Sequence, residues 1–309
     1  MTARVFIDGA AGTTGLEIRE RLAGRSEIEL IAIGESRRKD PAARAEALND
    51  ADFVILCLPD DAAREAVALI RNDRTRVVDA SSAHRVADGW TYGFPELEAV
   101  GAAAIATAMR VSNPGCYPTG FLALVRPLVR AGLLPADWPV VVHGTSGYSG
   151  GGKAMVAEFE AGEGAPTAHR AYALALAHKH VPEMTRHSGL AHSPIFLPSV
   201  ADTYRGMVIE VALHTGLMPG RPLVDDLRGV LAAAYPAGLV RVAPDVPAAI
   251  AIEDDAGTDR MTLHVAGNDA AGQVRLIATL DNLGKGAGGA AVQNLNIMAG
   301  LDPLAGLVV

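Results

Sequence analysis

Two short segments carry side chains able to do covalent chemistry. The first is Ser112-Asn113-Pro114-Gly115-Cys116-Tyr117-Pro118-Thr119. Glycine and proline flank the thiol of Cys116, and an apolar helix is predicted to start just after it, with Pro118 in its first turn. A thiol at a helix N-terminus meets the positive end of the dipole, which favours the nucleophilic thiolate. The second segment is Ala177-His178-Lys179-His180-Val181-Pro182-Glu183. A neutral imidazole takes a thiol proton and later returns one to an oxygen. Either His178 or His180 fits that task, and if the segment is extended both face the same side. Against this stand two plainer readings: a cysteine buried in a tight turn, and a surface histidine pair. Zinc binding is disfavoured because no further ligand set accompanies the two histidines, so no metal is expected.

A third segment suits phosphate. Gly9-Ala10-Ala11-Gly12-Thr13-Thr14-Gly15 follows an apolar stretch and opens an amphipathic one. A glycine-rich strand-to-helix turn lets the backbone approach a pyrophosphate, and the helix N-terminus supplies N–H groups. The residues after the next strand are Gly34-Glu35-Ser36-Arg37-Arg38-Lys39. Ser36, Arg37 and Arg38 suit the 2′-phosphate of NADP, although Glu35 argues the other way. Arg85, within Ser81-Ser82-Ala83-His84-Arg85, offers a guanidinium fork for a substrate anion. The run from Ser146 and Gly147 to Lys153 is rich in glycine and suits an anion nest. Cys57, inside Val54-Ile55-Leu56-Cys57-Leu58-Pro59, reads as a small core residue in a buried strand.

These side chains need elements to hold them. Short apolar strands are predicted at Arg4–Asp8, Glu29–Ile33, Phe53–Pro59 and Arg76–Ala80. Helices are predicted at Leu16–Ala23 and Asp61–Ile70, and a turn at Asn49–Asp52. Such alternation gives a parallel sheet with helices on both faces. After Cys116 the pattern changes. A helix is predicted over Thr119–Gly132, kinked or interrupted at Pro127. Longer strands follow at Gly206–Thr215, Arg260–Asp269 and Gln273–Asn282, the last two without an intervening helix. That predicts a mixed or antiparallel sheet in an α+β second domain. Residues 289–301 read as a helix after a glycine-rich turn.

Composition narrows the partners. The net charge is −8, without a basic block, which argues against nucleic acid. Two cysteines among 309 residues exclude a disulfide scaffold. The start, Met1-Thr2-Ala3-Arg4, lacks a secretory pattern, and no apolar run is long enough to span a bilayer. The expectation is a cytoplasmic protein with a small-molecule substrate and no membrane partner.

Taken together, DGAAGTTG, DASSAHR, YGFPEL, SNPGCYPT, GTSGYSGGGK, HKHVPE and DNLGKGAGGAAVQNLN resemble the N-acetyl-gamma-glutamyl-phosphate reductases, in their shorter, type 2 subfamily. The motifs run from Asp8 to Asn296, nearly the whole chain. The resemblance implies an α/β Rossmann domain plus an α+β catalytic and oligomerisation domain of the semialdehyde dehydrogenase type. On this reading residues 1–115, with the C-terminal helix at about 287–309, bind NADP(H), and residues 116–286 carry catalysis and assembly into a dimer or tetramer. It further implies NADPH-dependent reduction of N-acetyl-L-glutamyl 5-phosphate to the 5-semialdehyde, through a thioester on Cys116, in arginine biosynthesis. Gly284–Gly289 is implied on the nicotinamide side of the cofactor. The long form of the family carries a larger N-terminal domain, and substrate contacts transfer less safely from it. Two rivals stand beside this reading: a related dehydrogenase acting on an aspartyl or aminoadipyl phosphate, and a non-catalytic NADP-binding regulator.

Overall fold

The computed structural model describes residues 2–34, 37, 40–162 and 164–309. It divides into two compact units, Met1–Pro114 with Ala287–Leu307, and Gly115–Gly286 with Val308–Val309.

The first unit contains β1 (Ala3–Asp8), α1 (Thr13–Leu22), β2 (Ile28–Ile31), α2 (Pro41–Asp50), β3 (Phe53–Leu56), α3 (Asp60–Leu69), β4 (Arg76–Asp79), β5 (Thr91–Tyr92), α4 (Gly101–Thr107) and β6 (Arg110–Ser112). Its six strands lie in the order β2-β1-β3-β4-β6-β5, and all pairings are parallel. Successive side chains point to opposite faces of a strand. Val5, Ile7, Ile55, Val78 and Val111 therefore pack with Ile18, Leu22, Ile105, Val292 and Leu295. Phe6, Val54, Leu56 and Val77 pack with Ala47, Leu48, Ala63 and Ala66. Both faces are covered, which is the condition for an all-parallel sheet.

The sequence pattern missed α2. Asn49 and Asp50 of the segment expected as a turn are the last two residues of this helix, and the chain leaves it at Ala51 and Asp52. Asp40 caps the helix by accepting from the Ala42 N–H at 2.9 Å, and Pro41 occupies the first turn. The apolar stripe is only Ala43, Ala47 and Leu48, too small-sided to stand out by periodicity. Cys57 is corrected too: β3 ends at Leu56, so Cys57 sits half-buried past the strand end rather than within it.

The second unit contains α5 (Cys116–Arg130), β7 (Val141–Gly147), α6 (Gly152–Glu160), β8 (His169–Ala171), α7 (Val181–Ser188), β9 (Ile195–Ala201), β10 (Met207–Leu213), α8 (Val224–Ala234), β11 (Val240–Val242), β12 (Met261–Asn268) and β13 (Gln273–Leu280). The strand order is β11-β12-β13-β10-β7-β9-β8. β7–β9 and β11–β12 are parallel and the other pairs antiparallel. α5 crosses one face, with Gly120 against Ile209 and Leu280. The alternate residues Val141, Ile195 and Leu197 are exposed on the other face. The terminal helix α9 (Gly289–Ala299) belongs to the first unit. The expected fold class, a Rossmann-type α/β unit plus an α+β unit, is what the chain adopts.

Pro127 does not interrupt α5, which runs from Cys116 to Arg130. A proline lacks the N–H that would bond the carbonyl four residues back. That carbonyl, of Ala123, instead accepts from the Tyr235 hydroxyl at 3.1 Å. The helix thus keeps its path because α8 ends in a residue that satisfies the freed acceptor.

Candidate active site

The glycine turn of the first unit is built for close approach. Gly9 has φ +91°, and a Cβ there would lie 2.3 Å from the Cys57 carbonyl oxygen. A Cβ on Gly15 would lie 2.5 Å from the Gly9 carbonyl oxygen. Gly12 caps α1 without a side-chain bond, and the first helical bond runs from Leu16 N–H to Gly12 O at 2.9 Å. The N–H groups of Thr13, Thr14 and Gly15 are therefore left at the positive end of the dipole. No acidic side chain occupies that first turn. This cradle fits a dinucleotide pyrophosphate. Of the residues expected to read the 2′-phosphate, Ser36 and Arg38 lie outside the described residues. Arg37 is exposed and reaches Asp40 at 3.4 Å.

At the C-terminal end of β4, Asp79 is fully buried. Its carboxylate accepts from Ser81 N–H at 2.9 Å and Ser81 Oγ at 2.7 Å, and meets His84 Nδ1 at 2.6 Å. His84 stacks on Trp90 with ring centroids 4.1 Å apart. Arg85 is 8% exposed, with Nε on the Asn113 carbonyl (3.0 Å) and Nη2 on that of Ala80 (3.1 Å). Asn113 is held elsewhere too. Its N–H bonds Asp79 O, its side-chain Nδ2 bonds Ala287 O, and its Oδ1 accepts from Asn294. The turn that leads to Cys116 is thus fixed on its N-terminal side.

Cys116 is the first residue of α5. The first backward bond of that helix is Thr119 N–H to Gly115 O at 2.9 Å, so Cys116 and Tyr117 lie in its open N-terminal turn. Pro118 has no N–H to leave unsatisfied there. The Gly115 N–H donates to the carboxylate of Glu183, which is 1% exposed, at 2.8 Å. The α7 segment that supplies the histidines therefore also fixes the backbone beside the thiol. A Cβ on Gly286 would lie 2.9 Å from the Cys116 Cβ, so the turn before α9 passes close to the Cys116 side chain.

Both imidazoles gather around Tyr117. Its ring centroid is 6.2 Å from that of His178 and 5.9 Å from that of His180, and the two imidazoles are 4.7 Å apart. The segment is not extended: His180 has helical angles and caps α7. The His180 N–H donates to His178 Nδ1 at 3.1 Å. Tyr172 donates to the Tyr117 hydroxyl at 3.1 Å, and Tyr117 donates to Ser199 O at 2.8 Å. Burial pushes Tyr172 up to about 12, its bond to Tyr117 pulls the other way, and the charge of Cys116 adds to the rise. Burial likewise raises Tyr117 well above its ordinary value. Both phenols are thus neutral hydrogen-bonding groups near neutral pH.

Ser146 and Gly147 end β7. The Ser146 hydroxyl donates to Gly147 O at 2.9 Å, and the Gly147 N–H to Gly206 O at 2.8 Å. Asn282 secures the next turn through Ser149 Oγ at 2.8 Å. Tyr117 and Glu183 lay inside motifs noted for their neighbours, and Lys285, 1% exposed in the turn before α9, inside a glycine run. Nothing in the sequence around Tyr172 marked it. Among the described residues no group of three or more His, Cys, Asp or Glu side chains could hold a metal ion, and no helix is long and apolar enough to cross a membrane.

A family profile described as semialdehyde dehydrogenase, NAD binding domain, matches residues 4–105, and one described as semialdehyde dehydrogenase, dimerisation domain, matches residues 116–282. The N-acetyl-gamma-glutamyl-phosphate reductase of Chelativorans sp. (strain BNC1) is 53% identical, over 96% of this chain and 98% of its own. That of Mesorhizobium japonicum is 51% identical, over 97% of this chain and 100% of its own. Among solved structures, a probable aspartate-semialdehyde dehydrogenase from Pseudomonas aeruginosa superposes with a TM-score of 0.72 at 17% identity, covering 97% of this chain and 99% of that one. Aspartate semialdehyde dehydrogenase with NADP from Candida albicans gives 0.65 at 14% identity, covering 97% and 99%. The structural likeness establishes the fold, and the sequence identity selects the branch: this chain belongs to the N-acetyl-gamma-glutamyl-phosphate reductase family.

Proposed function

We propose that the chain catalyses NADPH-dependent reduction of N-acetyl-L-glutamyl 5-phosphate to N-acetyl-L-glutamate 5-semialdehyde, with release of phosphate, as a step of arginine biosynthesis. The observation that carries the chemistry is the placement of Cys116 at the first position of α5, with both imidazoles around the adjoining Tyr117. The family membership carries the substrate.

The cysteine thiolate attacks the acyl carbon. A C–S bond forms, the C–O bond to phosphorus breaks, and phosphate leaves. NADPH, when bound, supplies the hydride that reduces the resulting thioester. The thiohemiacetal on Cys116 then collapses, the C–S bond breaks, and aldehyde and thiolate separate. Sulfur suits both halves, as a strong nucleophile and a good leaving group. The N–H groups of the open α5 turn suit the oxyanion of each tetrahedral state.

The hydrogen bond between the histidines supports a division of their work. His178 Nδ1 is an acceptor, so neutral His178 carries its proton on Nε2. It has no basic nitrogen to offer a thiol. His180 therefore takes the Cys116 proton, and His178 serves as a donor to oxygen. Arg85 holds the Asn113 carbonyl, which supports a positioning task alongside the binding of a substrate anion. Ser146 and Gly147 line the same role through the turn they open.

The first unit with α9 is assigned to NADP(H) through Gly9, Gly12, Thr13, Thr14 and Gly15, with Ser36, Arg37 and Arg38 toward the 2′-phosphate. The second unit is assigned to catalysis and to assembly as a homo-oligomer, through the exposed sheet face that bears Val141, Ile195 and Leu197. A cytoplasmic setting suits a reaction that needs a reduced thiol, and neither Cys57 nor Cys116 is in a disulfide.

The test of the substrate is phosphate-dependent oxidation in the reverse direction with NADP. N-acetylglutamate semialdehyde should exceed aspartate semialdehyde in kcat/KM by roughly 100-fold or more, since a pocket built for an acylated amine leaves polar groups unpaired with a free one. Comparable values, or a preference for aspartate semialdehyde, would reject the assignment.

A further inference from the structure

We propose that Arg44, aimed by the carboxylate of Asp8, is the preorganised ligand of the 2′-phosphate of NADP. The proposal rests on the assignment of the first unit to that cofactor, and adds a residue that the glycine motif and the basic segment 36–38 do not include.

Asp8 is the last residue of β1 and stands immediately before the glycine turn that receives a pyrophosphate. A lone carboxylate there repels the ligand. It is also costly in itself, because its side chain is mostly buried. Burial pushes the Asp8 pKa up, and Arg44 acts against that rise. The guanidinium Nε meets Asp8 Oδ2 at 2.6 Å, and Nη2 donates to the Ala62 carbonyl at 3.2 Å.

These two contacts fix the guanidinium in a defined place. Arg44 stands in the first turn and a half of α2, the helix entered from the end of β2. Asp8 ends β1, and Ala62 lies in the first turn of α3, the helix that follows β3. In the order β2-β1-β3 the chain runs to opposite sides of β1, and dinucleotides bind outside the strand ends at such a reversal. The 2′-phosphate of the adenosine ribose lies past the end of the second strand. Arg44 thus reaches from the helix after β2 to the end of β1, where that phosphate must pass.

Neither contact uses Nη1, and the side chain keeps 19% exposure. The Nη1–Nη2 edge of a guanidinium presents parallel N–H groups matched to two phosphate oxygens. Asp8 and Ala62 hold the planar group before the ligand arrives, so little rotamer entropy is lost on binding. Arg37 differs: it is more than half exposed, and its ion pair with Asp40 is 3.4 Å long. A fixed fork contributes more to discrimination than a solvated one.

Arg44→Gln alone leaves Asp8 buried and uncompensated, and that variant can fail to fold. The double variant Asp8→Asn/Arg44→Gln removes both charges and keeps a hydrogen-bonding pair of similar size. Dissociation constants for NADPH, NADH, adenosine 2′,5′-bisphosphate and adenosine 5′-monophosphate are measured on wild type and on the double variant. NADPH and the bisphosphate should weaken by roughly 10- to 100-fold, the range for loss of charged hydrogen bonds, while NADH and the monophosphate change by less than about 3-fold. Equal weakening of all four ligands would show that the pair only ties α2 to β1, and no weakening of any would show that Arg44 does not meet the phosphate; either overturns the proposal. A wild type that binds neither NADPH nor NADH would instead reject the cofactor assignment on which it stands.

Discussion

The chain has two thiols, and their surroundings give them opposite characters. Cys116 opens a helix, where the dipole favours its anion, and two imidazoles lie beside the next residue. Cys57 sits at the end of β3, against the backbone of Gly9, with Asp8 and Asp79 nearby. Burial, and then the Asp79 and Asp8 charges, push its thiol up to about 12. At pH 8 only about one Cys57 in ten thousand is then a thiolate, since each unit of pKa above the pH costs a factor of ten. Brief iodoacetamide treatment at pH 8, read by peptide mapping, should label Cys116 and spare Cys57 until the protein is unfolded. Equal labelling of the native protein would contradict the contrast. This division was legible in the residues around Cys116, because glycine and proline mark a helix entry. For Cys57 the inert core character was legible in its apolar neighbours, but the two buried carboxylates that reinforce it come from other strands.

Elements were legible where their hydrophobic period was strong and short-range. The parallel strands of the first unit and the long strands β10, β12 and β13 stand out by their apolar runs. α2 did not, since its buried side is mostly alanine. Pro127 was read by its local rule, which holds for an isolated helix. In α5 the rule yields because Tyr235, far away in sequence, bonds the Ala123 carbonyl. The same limit applies to the site. SNPGCYPT and HKHVPE could be recognised separately, but the bond from Gly115 N–H to Glu183 that joins them is a tertiary contact. Through it, the segment that carries His178 and His180 also supplies the carboxylate that fixes the turn before Cys116. Local patterns name such elements, and long-range hydrogen bonds decide what they do together.

At the scale of the molecule, one face of the seven-stranded sheet carries α5, and the other exposes Val141, Ile195 and Leu197. On that second face Arg275 holds Glu210 through paired bonds of 2.8 and 2.9 Å. Exposed aliphatic side chains around a charge pair form a surface suited to a second copy. Leu197→Asp should shift the sedimentation coefficient from that of an oligomer toward that of a monomer, and an unchanged coefficient would reject this face as the interface. The covalent step proposed for this chain is a thioester on Cys116. Its most direct test is a single turnover without phosphate. Enzyme, N-acetylglutamate semialdehyde and NADP are mixed, NADPH is followed by absorbance, and the acid-quenched protein is mapped by mass spectrometry. A burst of about one NADPH per site is expected, with the N-acetylglutamyl group on Cys116, and no burst in Cys116→Ser, whose steady-state rate should fall on the order of 10⁴-fold. A burst that survives in Cys116→Ser, or an acyl group carried by another residue, would contradict it.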